Sequence, residues 1–151
     1  MKSIAIISSF LLLLIACKNN DKSGSVSDND MDAARNFLDA ALKGDFKEAN
    51  KYMLQDSANQ DYLVLSERSY QRMDPEKKDN LKKASLNFFD TRQVNDSTTV
   101  TIFANSYKNK KDTLRIVRRS GQWLVDLKYL FEHDRDTNIY MKNNKIDTIQ
   151  K

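Results

Sequence analysis

Apolar residues are spaced along this chain in three successive ways, and each spacing predicts a different kind of element. From Ile4 to Ala16 they form a run that follows the positive charge of Lys2. Beyond Asp30 they recur with helical spacing: Ala34, Phe37, Leu38, Ala41 and Leu42 fall at i, i+3, i+4, i+7 and i+8, one face of a helix. Asp28 or Asp30 is the expected N-cap, and Gly44 stands where a left-handed C-terminal cap is wanted. Asp45, with Glu48 three residues on, has the form of a capping box. It opens a second short helix with Phe46, Ala49 and Met53 as its apolar positions and Tyr52 and Leu54 flanking them. Ser57 to Met73, with Tyr62-Leu63-Val64-Leu65, Tyr70 and Met73, predicts a third helix of mixed periodicity. Asp74-Pro75-Glu76 starts a fourth, very polar helix that ends near Lys83, with proline where a missing N–H costs nothing.

The period then changes from 3.6 to 2. Ala84–Val94 places Leu86 and Phe88 on one face, and Asn95-Asp96-Ser97 reads as a turn. Thr98–Tyr107 is rich in β-branched and aromatic residues, with Val100, Ile102 and Ala104 on one side and Phe103 and Tyr107 on the other. A lysine-rich turn over Lys108–Lys111 leads to Asp112–Arg119, which carries Leu114 and Ile116 on one face. After the tight turn Ser120-Gly121 comes Gln122–Tyr129, read as a strand with Trp123, Val125, Leu127 and Tyr129 inward and Asp126 and Lys128 outward. Helices followed by four strands with short connections predict an α+β domain, N-terminal helices packed on an antiparallel β-meander. Residues 131–151 are mostly polar; Ile139-Tyr140-Met141 and Ile146–Ile149 flank Lys142–Lys145 as either another hairpin or a frayed tail.

The opening run matches a secretory signal segment of about 7–15 apolar residues and falls short of the roughly 20 needed to span a bilayer. Lys18 to Asp30 (KNNDKSGSVSDND) has Val26 as its one apolar residue and reads as a flexible tether. The expected organisation is therefore signal peptide 1–16, tether 17–30, α+β domain 31–130 and tail 131–151. Leu14-Ile15-Ala16-Cys17 resembles a bacterial lipobox. That resemblance implies cleavage between Ala16 and Cys17 and lipidation of Cys17 on its sulfur and its new amine. Several acyl chains anchor far more firmly than one, since each buried methylene contributes about 0.8 kcal/mol. Lys18 replaces the aspartate that would favour inner-membrane retention, so the resemblance points to the outer membrane of a Gram-negative envelope.

A second resemblance concerns the domain. Phe37 to Ala49, an apolar helix, a Gly44-Asp45 break and a second helix ending near Tyr52, looks like the opening helix pair of the nuclear transport factor 2-like superfamily. Gly121 to Asp126 (GQWLVD) is similar to its closing strands. The resemblance covers roughly Met31 to Leu130 and implies a curved sheet around the helices, the cystatin-like cone, with a cavity between them. Some members are isomerases, dehydratases or epoxide hydrolases that use a buried carboxylate. No motif here aligns with their catalytic residues.

Composition narrows the chemistry. The formal net charge is +4, of which Lys2 supplies one, too small an excess to suggest nucleic-acid binding. Cys17 is the only cysteine, so no intramolecular disulfide forms, and the lone His133 lacks the companions of a transition-metal site or a Ser-His or Cys-His pair. No P-loop, dinucleotide fingerprint or calcium loop is present, and no cofactor is expected. Asp90 and Asp126 are the strand carboxylates available as a general base; strand alternation sends Asp126 to solvent. Lys108, Lys110, Lys111, Arg115, Arg118 and Arg119 share one hairpin. Such a cluster contacts anionic lipid or glycan, or blocks edge-to-edge strand pairing.

The resulting expectation is a membrane-anchored, non-enzymatic binding domain for an envelope protein or small ligand, with Tyr52, Tyr107, Arg115, Arg119, Trp123 and Tyr129 as candidate contacts. The alternatives are a small pocket enzyme of isomerase or hydrolase type, or an anionic glycan- or lipid-binding module using the basic hairpin.

Overall fold

The computed structural model describes Ser27 and residues 29–132. Ala16, Cys17, the tether up to Val26, Asp28, His133 and the expected hairpin at 139–149 lie outside the described residues. The chain is α+β: α1 (Asp30–Lys43), α2 (Phe46–Ala49), a 3-10 turn (Asn50–Tyr52), α3 (Ser57–Gln71) and α4 (Pro75–Lys83) precede β1 (Leu86–Asn95), β2 (Thr98–Asn105), β3 (Asp112–Arg119) and β4 (Gln122–Asp126). The strands form one antiparallel meander in the order β1-β2-β3-β4. A further helix, α5, follows β4 directly over residues 127–132.

Each of the first four helices begins on an Asn or Asp side chain that accepts an otherwise orphaned backbone N–H. Asn29 accepts from Asp32, Asp45 from Glu48, Asp56 from Asn59 and Asp74 from Lys77, at 2.8–2.9 Å. Such caps contribute about 0.5–2 kcal/mol each. Asn29, not Asp28 or Asp30, caps α1. Asp30 is already helical, and its carboxylate is drawn to the sheet, where Thr99 Oγ1 donates to it at 2.5 Å. Gly44 closes α1 at φ +79°, and a Cβ there would sit 2.4 Å from the Tyr70 ring, so both backbone conformation and space require glycine.

Helices and sheet meet through one apolar cluster. Ala33, Ala34, Phe37, Leu38 and Ala40 of α1, Phe46 and Ala49 of α2, and Met53 pack against Phe103, Leu114, Ile116, Val125 and Leu127. Met53, Leu114, Ile116 and Val125 expose nothing to water, so the centre of the helix-facing side is filled by side chains. In β2 the helices take the Phe103 side, which also brings Thr99 and Thr101 inside; Thr101 Oγ1 lies 2.8 Å from Thr91 Oγ1. Val100 and Ile102 are half-buried on the other side. A bulge at Phe89 leaves that ring 51% exposed, with Lys111 Nζ 4.4 Å from its centroid.

The strand expected over Gln122–Tyr129 stops at Asp126. Leu127, Leu130 and Phe131 instead follow helical spacing, and Asp126 Oδ1 accepts the Lys128 N–H at 3.1 Å across the first turn. The mixed periodicity of α3 also has a physical reason. Its inward positions are Asn59 and Leu63, while Val64 and Leu65 face water at 40% and 52% exposure. The helix is fastened at other points: Tyr62 stacks on Phe131, its hydroxyl donates to Glu132 Oε1 at 2.6 Å, and the fully buried Asn59 accepts the Leu127 N–H at 2.6 Å. Replacing Asn59 with Ala strands that N–H in the interior. Urea unfolding is expected to show a loss of about 1–3 kcal/mol with an unchanged slope.

Candidate functional site

The sheet has a second face that the helices do not cover. In β3, Arg115, Val117 and Arg119 alternate with the inward Leu114 and Ile116 and therefore share this outer side. Register places Arg115 opposite Val100 of β2 and Asp126 of β4, and Val117 opposite Thr98 and Leu124. The link from the 3-10 turn to α3 runs alongside: Leu54 donates its N–H to the Val125 carbonyl at 2.9 Å, carrying Gln55 and Asp56 to the rim. Together these elements enclose a groove of about 430 Å³ lined by Leu54, Gln55, Asp56, Thr98, Arg115, Val117, Arg119, Asp126 and Lys128.

The two carboxylates of the groove are both engaged. Asp126, 3% exposed, accepts Arg115 Nε at 3.1 Å and Arg115 Nη2 on Oδ2, and the Lys128 N–H on Oδ1. Asp56 accepts the backbone N–H and the side-chain amide of Asn59, each at 2.9 Å, and Lys128 Nζ at 3.1 Å. The Asn59 backbone hydrogen bond is the main influence holding the Asp56 carboxyl below the ordinary aspartate range, aided by Lys128 and the Asn59 amide. A general base needs a lone pair aimed at a substrate proton. Here three of the roughly four acceptor positions of each carboxylate are taken by donors. What the groove offers outward is cationic: Arg119 has no hydrogen-bond or ion-pair partner among the described residues, and Arg115, its guanidinium carbon 4.9 Å from the centre of the Tyr129 ring, is held in place from both sides. The arrangement is suited to receiving a carboxylate, phosphate or sulfate group.

The structure places Arg115 and Arg119 on one groove and Tyr129 against Arg115, and separates the other candidates. Tyr52 donates to Glu48 Oε1 at 3.0 Å on the far side of α2, where burial and then that hydrogen bond push its hydroxyl pKa up. Trp123 is half-buried against the core, and Tyr107 is exposed beyond the end of β2. Asp90 is exposed on β1, where its carbonyl serves Thr101 Oγ1. Asp126 is buried, contrary to the alternation argument, because it ends the strand and caps α5 while Arg115 reaches across to it. Lys128 joins the site from α5 for the same reason. The Asp126 cap followed by Leu127, Leu130 and Phe131 at i, i+3 and i+4 is the signal in the sequence for that helix. The edge-protection explanation also loses its premise for Arg115, Arg118 and Arg119, since β3 is an inner strand. Among the described residues, no three His, Cys, Asp or Glu side chains group so as to hold a metal ion, and no helix is long and apolar enough to cross a membrane.

The lowered Asp56 pKa has a defined sign. Stabilisation by a carboxylate with a depressed folded pKa is complete above its unfolded value, about 4, and disappears as pH falls below it. Chemical denaturation as a function of pH is expected to show Asp56→Asn less stable than the parent at pH 7, with the gap closing below pH about 4. A gap that persists unchanged at acid pH would contradict the assignment. In comparisons with known proteins, no family model, no curated protein and no solved structure matches the chain.

Proposed function

We propose that this chain is a lipid-anchored protein of a Gram-negative cell envelope, carried by Cys17 to the outer rather than the inner membrane. Its domain is a non-enzymatic binding module that receives an anionic group of an envelope ligand or partner protein on the open face of the sheet. The anchoring half rests on Lys2, the apolar run and Leu14-Ile15-Ala16-Cys17. The binding half is carried by one observation: each carboxylate of the groove already accepts three donors, while Arg119, on the same strand face as Arg115, has no partner among the described residues. The finer fold reading, a nuclear transport factor 2-like or cystatin-like cone, belongs to the same proposal. It is supported by the α1–Gly44-Asp45–α2 opening and by a bulged meander packed on α1.

Metabolic labelling with a fatty-acid analogue tests the anchor. Cys17→Ala is expected to lose the label and to leave the membrane fraction, and undiminished labelling of that variant overturns the lipoprotein reading. A photo-cross-linking residue at Thr98 tests the face. Adducts formed there in intact cells are expected to fall about tenfold in Arg119→Glu, which replaces attraction by like-charge repulsion. Equal yields from the two proteins would remove the groove from the proposal.

A further inference from the structure

A second groove lies at the opposite end of the sheet, separated from Arg119 by the length of β3, roughly 25 Å for eight extended residues. It is formed where α3, α4 and the β2–β3 connection meet. Met73 follows the end of α3, Lys77 and Leu81 are one helical turn apart on α4, and Tyr107, Lys108 and Lys110 come from the connection. The hollow measures about 500 Å³, within the usual range of about 300–1,000 Å³ for small-molecule sites. Its composition differs from that of the Arg115 groove. The walls are thioether, leucine and aromatic carbon with the aliphatic stems of three lysines, and no carboxylate lines it. Lys77 is paired with Asp74 at 2.8 Å, which leaves Lys108 and Lys110 as the cations facing the space.

A smaller hollow of about 170 Å³ shares Met73, Leu81 and Lys108 with the groove and is otherwise walled by residues that include Leu38, Phe46 and Tyr70. The Tyr70 hydroxyl is the one buried side-chain polar atom without a hydrogen-bond partner among the described residues. An unmade bond of that kind costs about 1–3 kcal/mol. The Tyr70 oxygen lies against Gly44, where a Cβ would stand 3.0 Å from it, and is closed to the groove.

We infer that this groove takes a single acyl chain bearing an anionic head, with the tail along Met73, Leu81 and Tyr107 and the head at Lys108 and Lys110. The inference is independent of the Arg115 groove. Apolar walls alone would accept any hydrocarbon; the lysines without a facing carboxylate select the sign of the head, and the tail favours an amphiphile over a simple inorganic anion.

The test is photo-cross-linking of the full chain in its own membranes with a diazirine-bearing dodecanoate, followed by peptide mapping of the adduct. Adducts are expected in the peptides holding Met73, Leu81 and Tyr107. They should be displaced by dodecanoate or dodecyl phosphate and not by dodecyltrimethylammonium; the stronger anionic competitor identifies a carboxylate or a phosphate head. The double variant Lys108→Glu, Lys110→Glu alters exposed connecting residues and is expected to lower labelling about tenfold with an unchanged melting temperature. Arg119→Glu should label as the parent does. Adducts elsewhere, equal displacement by the cationic amphiphile, or full labelling of the charge-reversed variant would each overturn the assignment.

Discussion

The seam between the end of β4 and the start of α3 is the contact on which the remaining architecture depends. The four-stranded sheet and the first four helices come from separate halves of the chain, and ordered polar contacts that join them concentrate here. Met53 bridges in parallel to Val125, Leu54 donates to the Val125 carbonyl, and the buried Asn59 side chain takes the Leu127 N–H while its amide donates to Asp56. The apolar cluster supplies most of the driving force, but hydrophobic contact is non-directional and does not specify which backbone groups meet. Asn59 does so, because a backbone N–H buried without an acceptor is costly. It sets where the sheet stops and α5 begins.

That junction also explains why the candidate site is a donor surface. Ending β4 at Asp126 lets one carboxylate do two jobs, capping α5 through Lys128 N–H and holding Arg115 across the sheet. Asp56 likewise caps α3 and pairs with Lys128. The acids in the groove are therefore engaged in structure, Arg115 is held in position by Asp126, and Arg119 is left exposed without a partner among the described residues. A buried, doubly hydrogen-bonded carboxylate keeps its partner oriented better than an exposed pair, whose contribution is commonly under about 1 kcal/mol.

Four of the six cations of the β2–β3 hairpin divide in three dimensions into two neighbourhoods of different chemistry, while Lys111 lies over Phe89 and Arg118 lines neither. Arg115 and Arg119 sit with Thr98, Val117 and the engaged carboxylates on the open face. Lys108 and Lys110 sit at the other end beside Tyr107, Leu81 and Met73, where no acid lines the hollow. Linear proximity made them one basic cluster, whereas an extended strand carries its two ends far apart and turns alternate residues to opposite sides.

Much of the fold was legible in local sequence because the relevant forces are local. The Gly44 cap, the Asp45 and Asp74 caps, Pro75 at a helix start and the Ser120-Gly121 turn act within a few residues, and the boundaries of β3 follow from them and from alternation. The pairing of Arg115 and Arg119 on one strand face follows from the same period of two. Three features depended on partners distant in the chain. Asp30 left the capping role to Asn29 because Thr99 was within reach; Asp126 became buried because Arg115 and α5 enclosed it; the β2 face turned inward was decided by where α1 lay, although it put Thr99 and Thr101 in the core. Period and capping chemistry determine which residues can share a face. Which face is buried, and which charge remains free after the others have paired, is decided only when the helices close over the sheet, since burial and ion pairing are properties of the assembled neighbours rather than of the segment.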